Sequence, residues 1–243
     1  MKIVAIVQAR MGSTRLPGKA LKLITGKAMI EILLSRLSLS KEINKIVVAI
    51  PESEDNNLLQ LAVESLGFSC YRGSEKDVLN RFYNSAKFVS ADVIVRITGD
   101  CPLVDSILVD ECIREYKNSN VDYFSNTDPA TYPDGLDIEV MSFESIKRAN
   151  NETDSDFDRE HVTPYIRNSD SFSKASVHYI EDLSNQRWSV DEPEDLVVVT
   201  NVFKHFSPNI FFDWQQVLDL RKSQPKLFIE NQQIKNNEGA TMG

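Results

Sequence analysis

Ile3-Val4-Ala5-Ile6-Val7 runs directly into Gln8-Ala9-Arg10-Met11-Gly12-Ser13-Thr14-Arg15-Leu16-Pro17-Gly18-Lys19. Five consecutive apolar residues, four of them β-branched, read as a strand buried on both faces, the kind found in parallel sheets. The polar segment after it, with glycines at 12 and 18 and a proline at 17, cannot extend that strand. It is a loop at the carboxyl end of the strand, where open α/β sheets bind their ligands. The first 30 residues carry six basic side chains (Lys2, Arg10, Arg15, Lys19, Lys22, Lys27) and no acidic one, although the whole chain is net −9. A basic excess against the global sign, with two glycines that admit close backbone approach, suits a polyanion such as a nucleoside triphosphate. Lys19, Arg10 and Arg15 are the candidate catalytic cations; Gln8, Ala9, Gly12 and Ser13 are candidate nucleotide contacts. The loop is not a Walker A loop, which places four residues between its glycines and a Ser or Thr after its Lys. Here five residues separate Gly12 from Gly18, and Ala20 follows Lys19.

Working outward, helix-like and strand-like stretches alternate. The periodicity predicts helices over 28–39, 56–66, 77–89 and 105–116, and strands over 45–50, 68–71 and 93–98. This βαβα order implies an α/β, Rossmann-like, mostly parallel sheet with helices on both faces. Its loops at 8–19, 51–55, 72–77 and 99–104 then share one rim. Past residue 120 the rhythm changes. Residues 121–141 read as strand and turn, with Asp134-Gly135 as the turn. Residues 142–168 read as polar helix, 177–180 and 187–190 as strands, and 193–206 as a helix with Pro193 in its first turn. One domain over 1–230 is expected, with 120–180 an excursion covering the acceptor side. The polar stretch 231–243 reads as a disordered tail or linker.

Bulk properties exclude several classes. No apolar run approaches the ~20 residues that span a bilayer, and no signal-peptide pattern precedes the first strand. Cys70, Cys101 and Cys112 are odd in number and widely spaced, against a disulfide framework or zinc site. A cytoplasmic, membrane-free protein is the expectation. The net charge argues against nucleic-acid binding, which needs a broad basic face.

Two further motifs end strands on carboxylates. In Val95-Arg96-Ile97-Thr98-Gly99-Asp100-Cys101-Pro102-Leu103, an apolar strand stops at Gly-Asp. In Trp188-Ser189-Val190-Asp191-Glu192-Pro193-Glu194-Asp195-Leu196, Asp191 sits between a strand and a helix. Alone, Asp100 is an ordinary turn residue and Asp191 an ordinary helix cap. Beside a triphosphate loop, both suit Mg²⁺, which takes one or two carboxylates and fills its octahedron with phosphate oxygens and water. Glu194 and Asp195 read as charges on the first turn of the helix.

Together these motifs resemble the sugar nucleotidyltransferases, most closely the cytidylyltransferase branch that includes the CMP-sialate and CMP-3-deoxyoctulosonate synthetases. Within it the chain is most similar to the spore-coat polysaccharide biosynthesis group, over roughly residues 1–205. The resemblance implies CTP as donor, Mg²⁺ held at Asp100 and Asp191, transfer of CMP to an acceptor with pyrophosphate released, and a homodimer formed by the 120–180 excursion. Some relatives are fused to a further C-terminal enzyme. It also places Arg72-Gly73-Ser74-Glu75-Lys76-Asp77 beside the nucleobase, with Arg72 the leading contact and Ser74 next; Arg96 joins the nucleotide contacts. Asp77 reads equally as the cap of the next helix, and Arg81 as a solvated helix residue.

Tyr132-Pro133-Asp134-Gly135-Leu136-Asp137-Ile138-Glu139 and Arg159-Glu160-His161-Val162-Thr163-Pro164-Tyr165 resemble acceptor-side signatures. Tyr132, Asp134, Asp137 and Glu139 are the expected partners of sugar hydroxyls or an amine. Arg159, His161 and Arg187 give that side a set of cations, which implies an anionic small-molecule acceptor bearing phosphate or carboxylate. Two rivals stand beside this reading. A nucleotide-sugar glycosyltransferase predicts a DxD motif after the middle strand, where this chain has Gly99-Asp100-Cys101-Pro102. A non-catalytic nucleotide-binding domain has no need of Lys19, Asp100 and Asp191 together.

Overall fold

In the computed structural model, which describes residues 1–234, the opening apolar run is β1 (Ile3–Gln8). The loop after it ends in a short 3-10 turn and a two-residue hairpin, β2 (Leu23–Ile24) with β3 (Lys27–Ala28). Then follow α1 (Met29–Leu37), β4 (Lys45–Pro51), α2 (Asn57–Ser65), β5 (Ser69–Gly73), α3 (Val78–Phe88), β6 (Val93–Thr98) and α4 (Ser106–Ser119). The second half contributes β7 (Tyr123–Ser125), β8 (Glu139–Ser142), α5 (Phe143–Glu152), α6 (Asp156–His161), α7 (Pro164–Asn168), β9 (Lys174–Ser176), α8 (Pro193–Phe206) and α9 (Trp214–Ser223).

The strands form one seven-stranded sheet in the order β5-β4-β1-β6-β8-β7-β9. β5, β4, β1 and β6 are mutually parallel; β8 runs antiparallel to β6 and β7, and β9 parallel to β7. Side-chain alternation divides the core in two. Val4 and Ile6 pack with Leu79, Phe82 and Ala86 of α3 and Ile146 of α5. Ala5 and Val7 pack with Leu33 and Leu34 of α1, Leu108 of α4 and Val199 of α8. Burial on both faces is why β1 could be so uniformly apolar.

From β1 the chain builds outward through β4 to β5, then crosses back to place β6 on the other flank of β1. Such a reversal opens a crevice beyond the strand ends. Gln8 and Thr98 sit opposite each other there, and the Gly99 amide donates to the Gln8 carbonyl at 2.7 Å. A Cβ on Gly99 would stand 2.7 Å from that carbonyl and 2.9 Å from the Ala9 Cβ, so only glycine lets the two loops meet this closely.

The second half differs from expectation in three places. Residues 177–180 and 187–190 are not strands. The third strand of this region is β9, and Arg187 makes only an isolated bridge to Asp134. α9 was not anticipated; its N-terminus is fixed by Asp213, which accepts from the Gln216 amide while the Gln216 side chain accepts from the Asp213 amide. The segment expected to be tail begins with a structured turn. Asn231 is buried and donates to the Arg187 carbonyl at 3.0 Å and to Asp195 at 2.9 Å. The rest of the expected tail, 235–243, lies outside the described residues. No described helix is long and apolar enough to cross a membrane.

Candidate active site

The basic loop folds by satisfying its own backbone. The Met11 carbonyl accepts from the Ser13 and Gly18 amides, and Gly18 takes a positive φ of 68°. The Met11 amide donates to Asn56 at 2.9 Å, which fastens the loop to the turn that opens α2. The chain then turns Lys19 inward. Its ammonium donates to Asp191 at 2.7 Å, to Asp100 at 2.9 Å and to the Val190 carbonyl at 3.0 Å. Burial disfavours the Lys19 charge, yet Asp100 and Asp191 hold its pKa above the usual value. Burial likewise pushes Asp100 up, but Lys19, with donors from Thr98 and Cys101, overrides it and brings the carboxyl down to about 2. Arg15 closes the cluster at 3.2 Å from Asp191 and 3.1 Å from Glu192.

Two cavities meet at this cluster. The smaller, about 240 Å³, is walled by Gln8, Ala9, Arg10, Ser13, Lys19, Val78 and Arg81. The larger, about 740 Å³, is walled by Arg96, Tyr132, Asp134, Asp137, Glu139, Arg167 and Arg187. Arg15, Thr98, Asp100, His161 and Asp191 line both. A third hollow of about 840 Å³ opens between 74–78 and 154–160, reached by Arg10 and Arg159.

The Pro-Asp-Gly turn is not a solvent turn. Gly135, at φ 105°, lies so close to the 187–189 backbone that a Cβ would stand 2.6 Å from the Ser189 amide nitrogen. That contact sets Asp134 over the large cavity, where its carboxylate accepts from the Ser189 hydroxyl at 3.0 Å. Burial, helped by the charges of Asp100 and Asp191 and opposed by Ser189 and Arg187, raises its carboxyl to about 6. Asp137 faces the open cavity and is crowded by protein on its other sides. That enclosure, then Asp134 and Glu139, push it up to about 7. Beneath lies a buried pair: Arg96 donates to Glu139, which also accepts from the Tyr123 hydroxyl at 2.5 Å. Arg96 reaches Gln8 at 3.4 Å, linking the floor of the large cavity to the nucleotide loop.

Lys19, Arg15, Asp100, Asp191 and His161 therefore converge, with Gln8, Ala9, Arg10 and Ser13 on one side and Tyr132, Asp134, Asp137 and Glu139 on the other. Ser74 reaches only the third hollow. Five expectations are revised. Arg72 borders none of the three cavities: its guanidinium donates to Asn57, Gln60 and the carbonyls of Glu52 and Ser53, fastening β5 to the turn after β4. Arg159 lies at the third hollow rather than on the acceptor side, 3.3 Å from Asp77 and bonded to Asn150. Arg187 lines the large cavity, but its guanidinium grips Asp195 through two bonds of 2.8 and 2.9 Å, with both residues buried. Asp195 is thus an interior partner rather than a solvated helix charge. Gly12 is exposed, beside Glu75, outside the cavity walls. Arg81, expected as a solvated helix residue, is buried, and Arg167 was not singled out at all. Arg81 lies on the inward stripe of α3 with Val78 and Ser85, a spacing visible in the sequence. Arg167 enters the large cavity from the short α7, and no local signal marks it.

A sequence profile of the cytidylyltransferases matches residues 4–223. The chain belongs to the cytidylyltransferase family. Among its relatives is the uncharacterised protein MJ1063 of Methanocaldococcus jannaschii, 40% identical over 233 residues and 93% of each chain. The spore coat polysaccharide biosynthesis protein SpsF of Bacillus subtilis is 37% identical over 171 residues, covering 68% of this chain and 70% of SpsF. The structure of a cytidylyltransferase from Leptospira borgpetersenii serovar Hardjo-bovis superposes with a TM-score of 0.89 at 29% identity, over 94% of this chain and 97% of that one. Family membership makes this an enzyme of cytidylyl transfer and sets the glycosyltransferase reading aside.

Proposed function

We propose that this cytidylyltransferase moves CMP from CTP onto a sugar acid, or a phosphorylated sugar or polyol, for surface-polysaccharide synthesis. The observation that carries this reading is the junction itself. The basic loop and both strand-end carboxylates meet where the small cavity opens into the large one. A triphosphate in the small cavity presents its α-phosphorus to an acceptor in the large one. The acceptor oxygen forms a bond to that phosphorus, the bond to the bridging oxygen breaks, and pyrophosphate leaves. Arg10, Arg15 and Lys19 bind the triphosphate and neutralise the charge that grows on the leaving group. Such catalysis is mostly positioning and electrostatics. The acceptor's carboxylate or phosphate meets Arg167 and His161: Arg96 and Arg187 are held by the buried Glu139 and Asp195, whereas the carboxylate 3.7 Å from Arg167, that of Asp128, is exposed.

The donor set fits Mg²⁺. One cation, the Lys19 ammonium, already touches both Asp100 and Asp191, so two carboxylates converge on one point. Among the described residues no group of three or more His, Cys, Asp or Glu closes a metal cage. Two carboxylates with phosphate oxygens and water complete the shell this ion prefers. When bound, Mg²⁺ supplies positive charge to the phosphate oxygens. The test is pyrophosphate release with each of the four nucleoside triphosphates against a panel of sugar acids and polyol phosphates, with Mg²⁺ and with a chelator. CTP alone should support turnover, and the chelator should abolish it. Equal use of ATP, GTP and CTP would sink the reading.

A further inference from the structure

α3 carries a cation that the fold leaves half-satisfied. Arg81 is 2% exposed. Its stem runs past Gly73 at the end of β5, where a Cβ would stand 3.1 Å from the Arg81 Cγ, so a bare glycine gives the stem its path. Nη1 donates to the carbonyls of Ser74 and, at 3.5 Å, Glu75. Nε is buried without a hydrogen-bond partner. Among the described residues no carboxylate lies within 4.0 Å of the guanidinium. Arg36 shows what a purely structural buried arginine looks like in this chain. Its three nitrogens donate to the carbonyls of Val104, Ile210 and Leu103, and its guanidinium lies 4.6 Å from the Phe212 ring centre.

Arg81 instead lines the small cavity together with Arg10 and Lys19. Burial, then the like charge of Arg10, lowers its pKa to about 10, with Glu75 and Asp77 opposing. A buried cation without an anion is costly, and two arginines facing one cavity are relieved by an anion between them.

We propose that Arg81 binds a phosphate of the nucleotide from the α3 side of the cavity, together with Arg10, through the guanidinium that lines it. This rests on the nucleotidyl-transfer reading and adds to it a contact from outside the basic loop. The same guanidinium holds the 74–75 carbonyls, so phosphate binding and the position of that loop are joined through one side chain.

The test is calorimetric titration of the wild type, Arg81→Lys and Arg81→Gln with tripolyphosphate, CTP and cytidine. Arg81→Gln should weaken tripolyphosphate and CTP roughly 10- to 100-fold, the scale of a charged hydrogen bond. Arg81→Lys keeps the charge but not the planar fork, and should lose less, about 3- to 10-fold. Cytidine affinity should hold. A loss confined to cytidine would mean that Arg81 meets the base, and unchanged affinities in folded variants would mean that it only staples the loop; either overturns the proposal. Should both variants unfold, the wild type decides. Tripolyphosphate must shift the arginine Nε–H resonance that shows contacts to Gly73, and an unmoved resonance overturns the proposal equally. Failure of the wild type to bind either CTP or tripolyphosphate would instead bring down the functional reading itself.

Discussion

The two sides of the site use the same residue types in opposite ways. On the nucleotide side the cations of the basic loop, Arg10, Arg15 and Lys19, are exposed or half-buried, and those that are paired meet carboxylates at the cavity junction. Arg15 and Lys19 share Asp191 in this way. On the acceptor side two arginines lie under the wall, each matched to an interior carboxylate: Arg96 to Glu139 and Arg187 to Asp195. A cation on a loop awaits a ligand, whereas a cation under a wall holds the wall up. Charge type alone does not distinguish them; burial of the partner does.

That contrast makes its largest demand on stability. Arg187→Ala strands Asp195, which is fully buried, and should cost roughly 3–5 kcal/mol, the scale for breaking a buried pair from one side. Arg10→Ala, at an exposed position, should change stability by no more than about 0.5 kcal/mol. Urea midpoints measure both. Equal losses at the two positions would erase the distinction.

Next comes the junction. Lys19→Met should raise the barrier to turnover by about 2.7–4 kcal/mol, the scale of losing one donor to a developing oxyanion. The chain should stay folded, since the Asp100 and Asp191 side chains keep 27% and 25% of their exposure and water can take over from the lost ammonium. Normal pyrophosphate release from a folded Lys19→Met protein would place the triphosphate elsewhere.

A pH effect should separate the sides further. Asp137 is raised to about 7 in the folded chain, far above the value near 4 of an unfolded aspartate. Between those values the folded state holds the extra proton, so this group makes stability fall as pH rises from about 4 to about 7. Asp134, raised to about 6, adds the same sign over a narrower window. Asp137→Asn should flatten the slope of unfolding free energy across that window, followed by urea denaturation at several pH values. A slope identical to wild type would mean that the Asp137 carboxyl is ordinary.

The first half of the fold was legible because its signals are local. β1 is a continuous apolar run that ends on Gln8, and β6, apolar but for Arg96, runs up to Thr98-Gly99-Asp100. The second half is held by contacts between distant residues. The 187–190 stretch reads as a strand by composition, yet its backbone is spent on the Asp134 turn and the Asp100 carbonyl. Asn231 looked like tail because nothing nearby in sequence reveals Asp195 as its partner. Lys19, Asp100 and Asp191 could be assembled from motif ends; the roles of Arg159 and Arg187 could not, since each depends on a carboxylate whose burial only the fold decides.

The smallest expected effect is the sharpest comparison, because it sets two arginines nine residues apart against each other. Arg72 ends a strand beside a glycine, the place where a sequence most invites a ligand contact. In the fold its four donor contacts go to Asn57, Gln60 and two carbonyls, none of them on a cavity. Those partners are neutral and partly solvated, so Arg72→Gln should cost about 1 kcal/mol of stability or less, because water replaces what the side chain gave. Affinity for CTP should remain within about twofold, well under the tenfold that 1.4 kcal/mol represents. Arg81, buried with an unpartnered nitrogen on the cavity wall, is the position where the same charge-removing change should be felt by the nucleotide. If calorimetry finds CTP weakened by Arg72→Gln as much as by Arg81→Gln, then the 72–77 loop closes onto the nucleotide in a way that the side-chain network around Arg72 opposes. The boundary between scaffold and ligand cations would then have to be drawn by loop position rather than by burial.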